Sequence, residues 1–272
     1  MEWFQAIILG LVQGLTEFLP VSSSGHLAIG REILGIDAPE DLMFEVTVHA
    51  ATVLSTILVF RKQIWKLLRG LFKFKYNDET DYILKICVSM IPVFFVGVFL
   101  KGYVTRLFSS LTVIGIALMV TALLLYLSDA VSGRRKAESG DAAPHRNGIS
   151  YRQAFVVGLG QAVAVIPGLS RSGTTISTGL LCGVKRDVVA QFSFLMVLVP
   201  ILGEAFLDLV AGSMDPALQI NVLPLALGFL SAFLSGLFAC KVMISIVKKA
   251  KLKWFALYCV VIGLITLIFS LV

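Results

Sequence analysis

The chain has 272 residues, of which 57% are hydrophobic and only 15% are charged, and its mean hydropathy is +0.90. A soluble domain carries about 25% charged residues, so this composition excludes an ordinary soluble domain and indicates an integral membrane protein. The net charge of +6 comes from basic residues between apolar segments, where such residues set membrane orientation, and we expect no nucleic-acid partner.

The first predicted element is a broken apolar hairpin at about residues 3–30. Its middle reads Leu-Pro-Val-Ser at residues 19–22, where Pro20 removes a backbone donor and stops a helix. Two short helices joined by a polar turn are typical of a re-entrant hairpin, which enters the bilayer without crossing it. Such irregular backbone is tolerated at membrane depth only where protein or a water-filled cavity surrounds it.

Three apolar spans follow this hairpin, each close to the ~20 residues that cross a bilayer. They lie at about residues 42–60, 82–101 and 111–128. A polar linker at 132–148 then separates this first repeat (1–131) from a second repeat (149–272). The second repeat contains another broken hairpin and three more spans, at about 151–183, 188–210, 222–240 and 254–272.

The two hairpins are near-copies of each other. A single offset of 148 residues aligns GLVQGLTEFLPVSSSGH (10–26) with GLGQAVAVIPGLSRSGT (158–174) without a gap. Residues of the first copy that recur unchanged at this offset are Gln5, Ala6, Gly10, Leu11, Gln13, Ser22, Ser24 and Gly25. Such self-similarity indicates an internal duplication.

The links after the first, third and fifth spans are rich in Lys and Arg, so the positive-inside rule places them in the cytoplasm. They are residues 61–81, 129–152 and 241–253. The two hairpins are then entered from opposite membrane faces. The predicted fold is therefore an all-α integral membrane protein, with six transmembrane helices and two re-entrant helical hairpins in an inverted-topology repeat. Its two hairpin tips would meet near the midplane, the usual place for a site in such folds.

Each tip places hydroxyls and glycines where the second short helix of its hairpin begins. Unpaired N–H groups and the helix dipole favour an anion there, so we expect phosphate binding. The candidate phosphate-binding residues are Ser22, Ser24, Gly25, Ser170, Ser172, Gly173 and Thr174. Ordinary N-capping is the alternative explanation for either tip. Arg171 adds a planar guanidinium that suits phosphate oxygens, and we predict that it is catalytic.

Glu17 is the acid of the first tip and lies in an otherwise apolar run. An ionisable residue inside a membrane segment is expensive and usually functional, so we predict a catalytic role. Gln13 lies one helical turn earlier, and together the two residues are a candidate site for a divalent cation, with substrate phosphates completing its shell. Gln161 matches Gln13 in the second copy and is predicted to support the site.

His26 closes the first tip and is a candidate general acid or base near neutral pH. Ser23 lies three residues before it and brings a hydroxyl that the second copy replaces with arginine. On the first span, Glu45 and His49 are one helical turn apart and can meet. A structural role and a supporting role for that pair both stay open.

Two of these stretches match the signatures of a known family. The first is QGLTEFLPVSSSGH (13–26) and the second is PGLSRSGTT (167–175). They resemble the signature motifs of the bacterial undecaprenyl-diphosphate phosphatases of the BacA/UppP type, and the resemblance covers essentially the whole chain. Some members of that family carry glutamate where this chain has Gln13, which leaves Glu17 as the essential acid.

The resemblance implies an enzyme of the bacterial inner membrane that hydrolyses undecaprenyl diphosphate, and other polyprenyl diphosphates, to the lipid monophosphate and inorganic phosphate. This reaction recycles the lipid carrier of peptidoglycan synthesis and confers bacitracin resistance. The resemblance also implies a divalent cation, Mg²⁺ or Ca²⁺, a site that opens to the periplasmic or outer face, and a homodimer.

On this reading Ser23 is the predicted nucleophile, with His26 as its base and Glu17 binding the metal or orienting His26. Attack by His26 or by water stays open. The alternative function is a transporter or flippase of polyprenyl phosphate, because inverted repeats, broken hairpins and a midplane anion site are also transporter features. Pure anion carriage does not need the combination of serine, histidine, arginine and glutamate.

Overall fold

The computed structural model of the chain describes residues 1–36, 41–107, 110–138, 145–203, 222–249 and 251–271. Over these residues the regular secondary structure is helical, as predicted. The first half contains α1 (Trp3–Phe18), α2 (Ser23–Leu34), α3 (Asp41–Val59), α4 (Arg61–Leu71), α5 (Asp78–Phe99), α6 (Lys101–Leu107) and α7 (Leu111–Glu138). The second half follows a 3-10 turn at Arg146–Gly148 and contains α8 (Tyr151–Val163), α9 (Arg171–Leu181), α10 (Arg186–Met196), α11 (described over 198–203), α12 (Val222–Lys249) and α13 (Lys253–Phe269).

Four stretches of described helix are long and apolar enough to cross a membrane. They are Asp78–Phe99, Leu111–Ser132, Arg186–Gly203 and Val222–Ile246. A fifth span is present if α3 and α4, which are bent by 75° at their junction, count as one. The last predicted span coincides with α13, which is apolar but has only 17 residues. The chain is therefore a multi-pass membrane protein, and the part of span 188–210 beyond residue 203 lies outside the described residues.

Several helices differ from the predicted spans at their ends. The α7 and α12 helices run on to Glu138 and Lys249, past the predicted ends at 128 and 240, because hydropathy marks only the apolar part of a helix. The basic link after the first span contains a helix that was not predicted, the amphipathic α4. Its apolar residues recur at helical spacing among lysines and arginines, a pattern that favours a helix lying along a membrane surface.

Both hairpins have the predicted helix–break–helix form. The α1–α2 hairpin breaks over residues 19–22, and the α8–α9 hairpin breaks over residues 164–170. Along the first hairpin, α1 packs against α12, and along the second, α8 packs against α5. Each hairpin thus packs on a long helix of the other half of the chain, so the two halves interleave.

Two glycines matched by the repeat permit this close packing. A Cβ on Gly10 would lie 2.5 Å from the carbonyl oxygen of Gly228 on α12. A Cβ on Gly158 would lie 2.2 Å from the carbonyl oxygen of Ser89 on α5. Both distances are shorter than a carbon–oxygen contact allows, so only glycine fits either position with the helices this close.

A buried polar cluster anchors the start of the second half to α5. Lys85 donates a hydrogen bond to Asp81 at 2.6 Å, and neither side chain is more than 3% exposed. Asn147 and Tyr151 also donate to Asp81, at 2.9 and 3.0 Å, and Lys85 donates to the carbonyl oxygen of Arg146 at 2.7 Å. These additional partners offset the cost of burying the ion pair and hold residues 145–151 in place ahead of α8.

Candidate active site

The two serines that directly precede α2 and α9 act as helix caps. The hydroxyl of Ser22 accepts the N–H of Gly25 at 3.2 Å, and the hydroxyl of Ser170 accepts the N–H of Gly173 at 3.1 Å. The predicted helix starts are confirmed, and N-capping accounts for these two hydroxyls. Ser22 has a φ of 71°, in the left-handed region that serine rarely adopts, a strain that concentrates at functional turns.

The tips of the two hairpins contact each other through matched residues. Ser172 donates a hydrogen bond to the carbonyl oxygen of Leu19 at 3.1 Å, and Ser24 accepts a long one from the N–H of Gly168 at 3.5 Å. A Cβ added to Gly25 would lie 3.2 Å from the Cα of Gly168. The predicted phosphate-binding residues of both halves therefore lie at a single junction. Thr174 follows Gly173 on α9, where its N–H donates to the Ser170 carbonyl oxygen at 2.8 Å and its buried hydroxyl has no hydrogen-bond partner among the described residues.

Glu17 is the centre of the polar contacts at this junction. Its carboxylate accepts hydrogen bonds from Ser23 at 2.6 Å, from Gln13 at 3.0 Å and from Arg171 at 3.2 Å. Its side chain is only 9% exposed, whereas that of Arg171 is 27% exposed. One carboxylate from the first half thus pairs with the guanidinium of the second half, and with the hydroxyl predicted to be the nucleophile.

The two ring nitrogens of His26 have hydrogen-bond partners other than Ser23, so the hydrogen bond of the predicted nucleophile–base pair is not formed. Its Nδ1 lies 2.7 Å from the carbonyl oxygen of Ser22, and its Nε2 lies 2.8 Å from the hydroxyl of Tyr258 on α13. A carbonyl oxygen only accepts, so Nδ1 carries a proton and Nε2 of the neutral ring accepts from Tyr258. The Ser23 hydroxyl donates its hydrogen bond to Glu17 instead. Tyr258 was missed because nothing local in the sequence links α13 to the first tip.

His49 is a residue whose place the sequence left open. Its Nε2 lies 3.8 Å from the Glu17 carboxylate, while its Nδ1 lies 2.9 Å from the carbonyl oxygen of Glu45. The side chain of Glu45 is paired with Arg31 at 3.4 Å. The side chains of Glu45 and His49 therefore do not pair with each other. Glu45 pairs with Arg31, and His49 lies beside the Glu17 carboxylate.

A pocket of about 460 Å³, counting the part open to solvent, lies beside Glu17 and Arg171. Its other polar lining residues are Thr52, Thr56, Gln161, Ser172, Thr175 and Ser193. Its apolar lining residues are Phe18, Val53, Phe194, Val197, Leu198 and Ile201. A lining that combines charged and polar residues with apolar ones suits an amphiphile with a charged head and a hydrocarbon tail.

The junction offers few donors for a divalent cation. Within the described ranges, no three His, Cys, Asp or Glu side chains converge as a metal site. The Oε1 atom of Gln13 is buried without a hydrogen-bond partner among the described residues, while Nε2 of the same amide donates to the Glu17 carboxylate at 3.0 Å. Two oxygen donors fit a hard cation only if phosphate and water supply the remaining ligands, which is usual for Mg²⁺.

Comparison with known proteins extends over almost the entire chain. The family described as bacitracin resistance protein BacA matches residues 6–265. A protein of Parabacteroides distasonis named undecaprenyl-diphosphatase is 54% identical over 271 residues, which cover 98% of each chain. Proteins of the same name from Bacteroides thetaiotaomicron and Halothermothrix orenii are 52% and 38% identical, over 100% and 99% of each chain. The chain therefore belongs to the family described as bacitracin resistance protein BacA.

Proposed function

We propose that the chain hydrolyses undecaprenyl diphosphate to undecaprenyl phosphate and inorganic phosphate. The observation that carries this proposal is the Glu17 carboxylate, which accepts hydrogen bonds from the Ser23 hydroxyl and the Arg171 guanidinium at the junction of the two hairpins. The relatives named undecaprenyl-diphosphatase, 54% and 52% identical over essentially the whole chain, support the same substrate. The reaction recycles the lipid carrier of peptidoglycan synthesis and accounts for the bacitracin resistance in the family's name.

In the proposed mechanism Ser23 is the nucleophile and Glu17 its base. The hydroxyl donates to the carboxylate at 2.6 Å, so the proton passes to Glu17 as Oγ attacks the terminal phosphorus. The bond between that phosphorus and the bridging oxygen breaks, and the lipid phosphate leaves with the electron pair. Water then hydrolyses the phosphoserine and releases inorganic phosphate. A rival mechanism has Glu17 deprotonate a water that attacks directly, with no covalent intermediate.

Arg171 stabilises the charge on the transferred phosphoryl group. Its side chain is 27% exposed and lines the pocket, so part of the guanidinium faces the space that substrate enters. Positioning and electrostatic stabilisation account for most catalysis of phosphoryl transfer. Glu17 and Oε1 of Gln13 would hold a divalent cation, Mg²⁺ or Ca²⁺, which neutralises phosphate charge when bound.

The proposal includes the membrane arrangement of the site. We infer that the hairpins are re-entrant and that the halves form an inverted repeat in the bacterial inner membrane, with the site opening to the periplasmic or outer face. The interleaved packing of α1 on α12 and of α8 on α5 supports this. In the repeat α1 corresponds to α8 and α12 corresponds to α5, so a two-fold relation between the halves turns one of these packed pairs into the other.

The test is phosphate release from undecaprenyl diphosphate by purified protein in detergent. We expect the wild-type protein to release phosphate, EDTA to abolish release, and Arg171→Ala to lower the rate at least ~100-fold. Arg69→Ala removes an exposed arginine of α4 away from the pocket and serves as the matched control, with near-normal activity expected. Well-folded wild-type protein that releases no phosphate would contradict the proposal and favour a transporter of polyprenyl phosphate.

A further inference from the structure

Gln161 and Ser193 are two further polar residues in the lining of the pocket. Gln161 is the repeat counterpart of Gln13, but their surroundings differ in one respect. Gln13 donates to Glu17 four residues later, whereas Gln161 has Val165 at that distance. Both amide atoms of Gln161 consequently lack a hydrogen-bond partner among the described residues, and the side chain is 1% exposed. The duplication kept the amide but not its partner.

Ser193 on α10 has the same combination of burial and missing partner. The residue is 3% exposed, and its hydroxyl is buried with no hydrogen-bond partner in the described part of the chain. Gln161 and Ser193 both line the pocket that also contains Glu17 and Arg171. A buried polar group without a partner destabilises the folded protein, so two of them in the lining of one pocket indicate a polar ligand.

The residues that follow Ser193 are an apolar part of the same pocket lining. Val197, Leu198 and Ile201 line the pocket, and Val197 and Ile201 lie one and two helical turns beyond Ser193. Along these helical turns the hydroxyl of Ser193 therefore comes first and the hydrocarbon side chains follow. A lipid diphosphate has the same order, because the phosphate attached to the tail lies between the terminal phosphate and the first isoprene unit.

We propose that Gln161 and Ser193 bind the phosphate that remains on the lipid, and that the first isoprene units lie against Val197, Leu198 and Ile201. The proposal rests on the hydrolysis proposed above. When the bond to the bridging oxygen breaks, the electron pair stays on the retained phosphate. The N–H of Gln161 and the hydroxyl of Ser193 then donate hydrogen bonds to the retained phosphate, whose negative charge increases. Arg171 and Ser23 act on the transferred phosphoryl group.

The test separates the two phosphates by using one ligand for each. Farnesyl phosphate carries the retained phosphate on a short tail and has no diphosphate bond, and inorganic phosphate represents the transferred group. Dissociation constants for both are measured with purified wild-type protein, with Gln161→Leu and with Ser193→Ala. Ser128→Ala is the matched control, because Ser128 is a buried membrane serine that donates to Ser177 and does not line the pocket.

We expect each variant to bind farnesyl phosphate about tenfold more weakly, as the loss of a hydrogen bond to a charged group implies, with inorganic phosphate binding unchanged. The ligand-free variants should melt at the same or a higher temperature than the wild type, since each substitution removes an unsatisfied buried polar group. Unchanged farnesyl phosphate binding would overturn the proposal. Weaker binding of inorganic phosphate would overturn it too, because the two residues would then bind the transferred group.

Failure of this inference is distinguishable from failure of the proposed hydrolysis. Farnesyl phosphate binding does not depend on turnover, and phosphate release from farnesyl diphosphate by the wild-type protein is measured in parallel. Active wild-type protein with unchanged binding in the variants rejects the subsite alone. Ser193→Ala removes a single oxygen, so it decides the question if Gln161→Leu does not yield folded protein.

Discussion

The buried carboxylate of Glu17 has hydrogen-bond partners from both halves of the chain. Gln13, one turn earlier on α1, and Ser23, just after the turn, are local partners. Arg171 comes from the other half of the chain, 154 residues away. A carboxylate that is only 9% exposed needs such partners, because an unpaired charge at this depth is expensive. The same contacts that permit its burial also place the carboxylate next to the Ser23 hydroxyl and next to the Arg171 guanidinium, as the proposed mechanism requires.

Substitution of the two candidate bases separates their roles. We expect Glu17→Ala to lower kcat at least ~100-fold, because it removes the group that accepts the Ser23 proton. His26→Ala should lower kcat by a smaller factor, since the His26 ring forms hydrogen bonds with the Ser22 carbonyl and Tyr258 rather than with Ser23. The measurement is the rate of phosphate release at saturating substrate. Glu32→Ala, at an exposed acid of α2, is the control, and a larger loss for His26→Ala would restore histidine as the base.

The hairpins are the elements on which the site depends, and their packing rests on glycine. Each tip contributes to the junction only if its first helix lies directly against a long helix of the other half. Gly10 on α1 and Gly158 on α8 make this possible, because any side chain there would meet a backbone carbonyl. A repeat that preserved these glycines therefore preserved the separation of the helices as well as the chemistry of the tips.

Gly158→Ala tests this packing. The added Cβ would lie 2.2 Å from the Ser89 carbonyl oxygen, so α8 and α5 must separate, at a cost of about 1–3 kcal/mol. We expect a lower melting temperature in detergent and weaker activity. Gly97→Ala on α5 is the matched control, because nothing lies within 4 Å of a Cβ there and alanine favours a helix. Equal melting temperatures for the two variants would show that the helices are not in close contact at Gly158.

At the scale of the whole molecule, the surface matches a lipid environment. Large apolar side chains such as Phe94 and Phe99 on α5 are 66% and 68% exposed, which water would penalise and lipid does not. The basic residues instead gather in the links, including α4 and the residues that follow it. This distribution predicts a definite orientation in the membrane. The homodimer implied by the family resemblance stays a prediction.

Cysteine labelling in intact cells tests the orientation. The four native cysteines are replaced by alanine, and a single cysteine is introduced as Lys73→Cys or as Leu271→Cys, both at exposed positions. We expect an impermeant maleimide to label the Leu271→Cys protein from outside, and the Lys73→Cys protein only after the membrane is permeabilised. Labelling of both variants from the same side would contradict the proposed topology.

Much of the fold follows from the sequence because its signals are local. Hydropathy located the long helices, and proline, serine and glycine indicated a break in each hairpin, which the structure has at residues 19–22 and 164–170. The repeat predicted that the tips carry matched serines at helix starts, which the structure confirms for Ser22 and Ser170. Helix α4 and the extensions of α7 and α12 were not predicted, since basic and polar residues carry no membrane signal even where they continue a helix.

The sequence by itself determined the membrane class, the duplicated hairpins and the kinds of groups at their tips, because periodicity and composition act within a few residues. Only the tertiary structure decided which groups meet. It gave Ser23 a hydrogen bond to Glu17 and not to His26, brought His49 to the same carboxylate, and set Tyr258 against His26. Contacts between distant segments depend on how whole helices pack, and the close approaches at Gly10 and Gly158 set that packing here.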